Sequence, residues 1–402
     1  MKFLASVFLF ASLTTHAQTQ EQLNRIKNED YINYIVSQVG NKRIVALGED
    51  THGTAEFYEL RAAITKRLIQ EKGFTTLVLE NPHEDMLALQ EKLFAKPLDT
   101  LMRQHLFSIY QTKQVKAFLQ WFKTYAAKHT RLKLAGCDDS YREILPARMI
   151  GQIKKMRLST LLPLALEFEK RQVKGGDSNL EYGLATYNLL RQIDSLYHKQ
   201  EIRSKPLEEL LFHAKTAYVF YERFSRRATV SRDEMMGERI NYYAADSTQK
   251  IIVWAHSGHI AKYAWLQQEL GLMGATVYKR FPNDYLAISM SSANGNYSYI
   301  RNRFINDDHV FNDTLFTAAF RETKYKSWNH FLAANKSEKF VLDLGRIHSA
   351  DSADFYRSKD IRIQGYRKEG GSYSEFYPVS LPRMFDMILF LRNTTATTAL
   401  FK

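Results

Sequence analysis

The sequence predicts an α/β fold, a mainly parallel central sheet with flanking helices and a large helical insertion at about 141–247. Three observations predict it. Short apolar runs such as RIVAL (43–47) and TTLVLE (75–80) alternate with amphipathic stretches, the pattern of parallel strands joined by helical crossovers. Polar residues gather where those runs end, and the carboxyl edge of such a sheet is the usual place for a site. From 141 to 247, Leu, Ala, Tyr, Lys and Glu recur at helical spacing with no strand-like run.

The elements follow in order. Residues 19–40 read as an N-terminal helix with Leu23, Ile26, Tyr31, Ile35 and Val39 as apolar contacts. The first strand spans 43–48. A helix at about 54–72 follows, with Phe57, Leu60, Ile64 and Leu68 on one face and Gly73 as its terminating glycine. The second strand, 75–80, stops at Asn81-Pro82 and leads into another helix. Residues 113–129 read as helix, with Val115, Phe118, Leu119 and Phe122 inward, and RLKLAGCDD (131–139) as the third strand. After the insertion, QKIIVWAH (249–256) resumes the sheet and a helix is expected at about 259–271. Further strands are expected at 285–291, 296–301, 339–344 and 385–393, part of them antiparallel because turns are frequent there.

At 402 residues the chain can bury a large core. Its first 17 residues, with Lys2, an apolar stretch from Phe3 to Leu13 and Thr15-His16-Ala17, read as a secretory signal peptide, leaving 18–402 as the folded domain. The expected location is therefore periplasmic or secreted. A single cysteine, Cys137, precludes an intramolecular disulfide and reads as a small buried residue. The formal charge of +13 comes from Lys and Arg spread along helices, with no tail or stripe and no nucleic-acid motif, so a solvated basic surface is expected and no nucleic-acid partner.

Four strand ends carry polar groups: Glu49 with His52, Glu80, Asp138 with Asp139, and His256 with His259. In a parallel sheet these ends share one edge. His52 is a candidate general base, since imidazole can take a proton from water near neutral pH, and Glu49 or Glu80 can orient it. Arg61 falls at the border of an apolar helical stripe and so needs a partner; Glu80, taken to lie on the adjacent strand, is the natural one, with a role as carboxylate clamp or substrate anchor. His256 and His259 sit three apart at a strand-to-helix turn, where they can hydrogen-bond a substrate carbonyl or a developing oxyanion. A zinc or manganese site from these histidines and glutamates is the alternative, although HExxH is absent. No GxSxG elbow, P-loop or GxGxxG is present, which leaves water activated by a base or by a metal. Arg232, Asp233, Met236 and Glu238 read from composition alone as a solvated helix.

These residues lie in recognisable segments. LGEDTHGTAEFYELR (47–61) resembles the L-G-E-x-[ST]-H-G-x-x-E-[FI] signature of the erythromycin esterase family. GFTTLVLE (73–80), RDEMMGER (232–239), VWAHSGHIAK (253–262) and RMFDMILFLRNTTATTAL (383–400) are similar to later segments of that family, in the same order, with Ser257 where asparagine is usual. The resemblance implies a helical lobe over a deep cleft and metal-independent attack of water on a carboxylic ester, in characterised members a macrolide lactone. It implies His52 as base, Glu49 and Glu80 as orienting groups, Arg61 holding a carboxylate, and His256 and His259 holding the substrate carbonyl or assisting proton transfer.

The reading is thus an exported carboxylic ester hydrolase acting on a small-molecule ester or lactone, without cofactor. The catalytic set is His52, Glu49, Glu80, Arg61, His256 and His259, of which Arg61, His256 and His259 bind substrate. A metal-dependent hydrolase using the same cluster and a non-catalytic periplasmic binding protein are the alternatives.

Overall fold

The computed structural model describes residues 21, 23–24, 26–139, 144–171, 180–227, 231–264, 272–301, 313–320, 323–347, 353–365, 368 and 376–401. The signal-peptide reading of residues 1–17 lies outside them. The strands are β1 (Lys27–Asn28), β2 (Ile44–Glu49), β3 (Thr76–Pro82), β4 (Lys133–Asp138), β5 (Ile251–His256), β6 (Tyr285–Tyr299), β7 (Phe316–Ala319), β8 (Lys339–Asp343), β9 (Lys359–Arg362), β10 (Phe376–Val379) and β11 (Met387–Thr394). The main sheet has the order β1-β8-β11-β6-β2-β5-β3-β4, with β7 on the far part of β6, and β9 and β10 form a separate ribbon.

From β11 across to β4 every neighbouring pair is parallel. Strands β8, β1 and β7 are antiparallel additions. Because β2 and β5 are buried on both faces, alternate residues serve different cores. Val45 and Leu47 pack with Phe57, Ile64 and Trp254 on one side, while Ile44 and Ala46 pack with Ile240, Val253 and Val277 on the other. A third apolar cluster, including Met149, Ala165, Phe168, Ile193 and Leu211, lies in the helices Leu145–Lys155, Leu162–Lys170, Leu180–His198 and Lys205–Ser225. Among the described residues between 144 and 247 there are only helices, turns and loops, so this lobe has an apolar centre of its own.

The helix after β2 runs Ala55–Lys72 and ends at Gly73, whose φ of 71° is the left-handed conformation glycine adopts without strain. Three expectations are corrected. The single N-terminal helix is broken: the described residues 21, 23, 24 and 26 are helical, Lys27 and Asn28 then pair with Leu342 and Val341, and a separate helix spans Tyr31–Gln38. The Asn28 side chain accepts the Asp30 N–H at 2.9 Å, a local turn that competes with helix. The runs 285–291 and 296–301 are joined in one strand, β6, because β11 pairs with it through Asn294 and Gly295. The helix expected at about 259–271 is a single turn, Ser257–Ile260, and the next described helix is Leu272–Arg280, with 265–271 outside the described residues.

Candidate active site

Strand order assembles the site. β5 lies between β2 and β3, and Glu49 at the end of β2 pairs in register with His256 at the end of β5. Glu80, near the end of β3, accepts the His256 backbone N–H at 2.7 Å through Oε2. The turn after β2 then brings His52 back over these ends. Gly53 permits that turn: its φ is 81°, and a Cβ there would lie 2.2 Å from the Ser298 carbonyl oxygen.

Glu49 is fully buried and faces two partners. Oε1 accepts from His52 Nδ1 at 2.8 Å, and Oε2 is paired with the Arg61 guanidinium. Burial raises the Glu49 carboxyl, but Arg61 and His52 outweigh it and hold the group below the usual carboxylate range. An ionised Glu49 requires a proton on Nδ1, so the neutral form of His52 carries its lone pair on Nε2. Nε2 points toward Glu80 Oε1, 4.0 Å away.

Arg61 is fully buried, with none of its side chain open to solvent; its guanidinium stacks by the rings of Tyr58 and Trp254, 5.0 and 5.4 Å to their centroids. The expected partner was Glu80. The partner is Glu49, because the strand adjacent to β2 is β5 and Glu80 lies one strand further on.

His256 and His259 are in opposite charge states. His256 Nε2–H donates to the Gln364 and Asp50 carbonyls at 3.0 and 3.3 Å. Burial, with His52 and His259 nearby, lowers it to about 3, so it is neutral and its Nδ1 carries the lone pair. His259 has Nε2 3.2 Å from Glu80 Oε1 and Nδ1 on Asp233 Oδ1. Burial opposes its charge, but Glu80 and Asp233 raise it to about 10. In return His259, with His52 and Arg232, brings Glu80 well below the usual range against the effect of burial. Neither histidine therefore holds a ring N–H ready for a substrate carbonyl.

Two residues that composition alone assigns to a solvated helix belong to the site. Asp233 is buried behind His259. Arg232 grips both oxygens of Asp138, lies 4.0 Å from Glu80 Oε1, and keeps 38% of its side chain exposed, so it forms the open side of the cluster. Composition could not reveal this; the RDEMMGER likeness was the available signal. Asp139 pairs with buried Arg239 at 2.8 Å, and Cys137 is buried at the sheet. Asp50 and Gln364 are further members that the sequence did not suggest. Asp50 is enclosed by Ser291, the Ser292 N–H and Arg362, and Gln364 donates its N–H to the Asp50 carbonyl at 2.6 Å. Among the described residues no three His, Cys, Asp or Glu side chains are placed to hold a metal ion.

The fold and the cluster define an α/β protein whose buried histidine–carboxylate site lies at the carboxyl edge of a parallel sheet. The chain belongs to the erythromycin esterase family, whose model matches residues 69–394. That span includes Glu80, Arg232, Asp233, His256 and His259, and begins after Glu49, His52 and Arg61. Escherichia coli erythromycin esterase type II is 23% identical over 297 residues, 64% of this chain and 70% of that protein. The fold is similar to a crystal structure described as a succinoglycan biosynthesis protein (TM-score 0.79, 18% identity, covering 96% of this chain and 99% of that one). It is also similar to a mutant of the erythromycin esterase EreC in its open conformation (TM-score 0.68, 16% identity, covering 92% and 95%).

Proposed function

We propose that this chain hydrolyses a carboxylic ester or lactone by adding water that His52 deprotonates. The observation that carries the reading is the gap between His52 Nε2 and Glu80 Oε1. The two atoms lie 4.0 Å apart, a spacing that a water oxygen about 2.8 Å from each would bridge. Glu49 holds Nδ1–H, which aims the Nε2 lone pair at that water. Nε2 takes one proton, the oxygen forms a bond to the ester carbonyl carbon, and the carbonyl π pair moves to oxygen. Collapse of the tetrahedral species breaks the bond to the alkoxide, which recovers the proton from the His52 imidazolium. Glu49 and Glu80 stabilise that imidazolium as it forms. Arg232, on the open side, is assigned to the oxyanion. Arg61 and His256 act through Glu49 and the strand ends. The family supplies the expectation of an ester; the macrolide is a candidate because relatives carry that name, and other esters of similar chemistry remain in the test.

The test incubates purified protein, with and without chelator, with macrolactones and simple esters, using His52→Ala as control. Mass spectrometry reads the addition of one water. A product that survives chelator and vanishes in His52→Ala supports the reading. Turnover retained in the variant removes His52 as base, and turnover lost to chelator with the wild type points to a metal-dependent reaction. We also propose export, on the pattern of residues 1–17; N-terminal sequencing of the protein from a native envelope fraction checks it, and an intact Lys2 would count against it.

A further inference from the structure

Asp233 stands in the first turn of the helix Arg232–Ala244, which follows the lobe helices and packs on β4 and the helix Leu272–Arg280. It is 3% exposed, and both its oxygens are used. Oδ1 accepts from His259 Nδ1, and Oδ2 accepts the Met273 N–H at 2.9 Å. On the far side of the ring, His259 Nε2 lies 3.2 Å from Glu80 Oε1. A histidine placed between two carboxylates uses both ring nitrogens as donors, and only the imidazolium has two.

That charge has a consequence for the base. During turnover the proton leaving water has two acceptors in reach, His52 Nε2 and Glu80 Oε1, 4.0 Å apart. A fixed cation on Glu80 lowers its basicity and directs the proton to His52. We propose that Asp233 is a positioning residue: from the helix at the end of the lobe it holds His259 as a fixed cation against Glu80, so that Glu80 orients the water without competing for its proton. The inference rests on the hydrolase reading above and assigns a function to a residue that touches neither substrate nor His52.

Asp233→Asn isolates the charge. The Met273 N–H fixes where an oxygen must go, so the Asn carbonyl stays there and its NH₂ turns to His259 Nδ1. His259 then becomes the neutral Nε2–H tautomer and keeps its bond to Glu80. The groups facing His259 in either case are Glu80, Asp233 and, ring to ring at 6.1 Å, His256.

The experiment uses the full chain with ¹⁵N-labelled histidine. Wild type at pH 8 is expected to show a doubly protonated ring for His259, assigned by its loss in His259→Gln, and Asp233→Asn is expected to lose it. With an ester found in the panel above, Asp233→Asn should lower kcat about 10- to 100-fold with KM within about threefold. The acid limb of kcat/KM should move up by about one pH unit as Glu80 becomes more basic. Asp233→Glu, which keeps the charge, should restore the doubly protonated ring and part of the rate. A wild-type His259 that is neutral at pH 8, or a superimposable pH profile in Asp233→Asn, overturns the proposal. If no ester is turned over by wild type the hydrolase reading fails, and the NMR result alone decides whether Asp233 sets the charge. Should Asp233→Asn not fold, Asp233→Ser serves as the variant without the charge, and a wild-type His259 that is neutral at pH 8 still overturns the proposal.

Discussion

The buried Glu49–Arg61 pair makes a quantitative prediction. Both side chains are fully buried, so water does not screen the pair. Arg61→Met removes the guanidinium but leaves a thioether that can fill the space beside Tyr58 and Trp254. It also strands the Glu49 carboxylate with His52 as its remaining partner. Glu49→Gln strands the guanidinium in the same way. Breaking a buried pair from one side costs about 3–5 kcal/mol, whereas replacing both members is often close to neutral. Each single variant should therefore lose about 3–5 kcal/mol. The double variant should lose less than the sum, with a coupling of about 2–3 kcal/mol. Urea unfolding of the four proteins, followed by tryptophan fluorescence and by circular dichroism, measures the cycle. Because Arg61 is fully buried and meets the site through Glu49, the KM of Arg61→Met should stay within about threefold while kcat falls with the mispositioning of His52. Additive losses within about 0.5 kcal/mol would refute the pairing argument. A large rise in KM at unchanged stability would return Arg61 to the role of substrate anchor.

Other predictions follow from the same geometry. Gly53→Ala should destabilise the protein by more than about 2 kcal/mol and depress turnover, since φ is 81° and the new Cβ meets the Ser298 carbonyl; denaturant midpoints at wild-type level would contradict this. Stability should fall on the acid side of neutrality. His256 is depressed to about 3, and burial puts the stacked pair His83 and His213 well below the usual histidine range, so the unfolded chain takes up protons first. Their contribution is present above about pH 6.5 and is lost as pH falls through the folded values; His213→Phe should flatten this limb in urea midpoints measured from pH 4 to 7. His259 has the opposite sign. Its folded value of about 10 makes its contribution complete below about pH 6.5 and lost as pH rises through 10, and Asp233→Asn should flatten that alkaline limb. Arg232→Lys keeps a charge on Asp138 but loses the two-pronged grip, and should lower kcat about 10-fold or more with little change in unfolding midpoint; unchanged kinetics would remove Arg232 from the oxyanion.

Much of this protein was written locally. Apolar runs bounded by Gly, Pro and Asn specified most of the main strands, since a strand buried on both faces must be apolar along its length. Gly73 marked the end of the helix after β2 because a left-handed residue was needed there. Glu49, His52, Glu80, His256 and His259 stood out as polar groups at strand ends, and parallel strands bring such ends to one edge. The tertiary structure decided which of them meet. Inserting β5 between β2 and β3 gave Arg61 to Glu49 and placed the His256 N–H on Glu80. It also took Arg232 and Asp233 from an ordinary-looking helix into the cluster, ran β6 unbroken past Gly295, and tied Lys27 and Asn28 into the sheet. Periodicity in a sequence records which face of an element is buried. It does not record the neighbour on that face, and the charge of His259 depends on that neighbour: two carboxylates, 179 and 26 residues away in the chain, surround one ring.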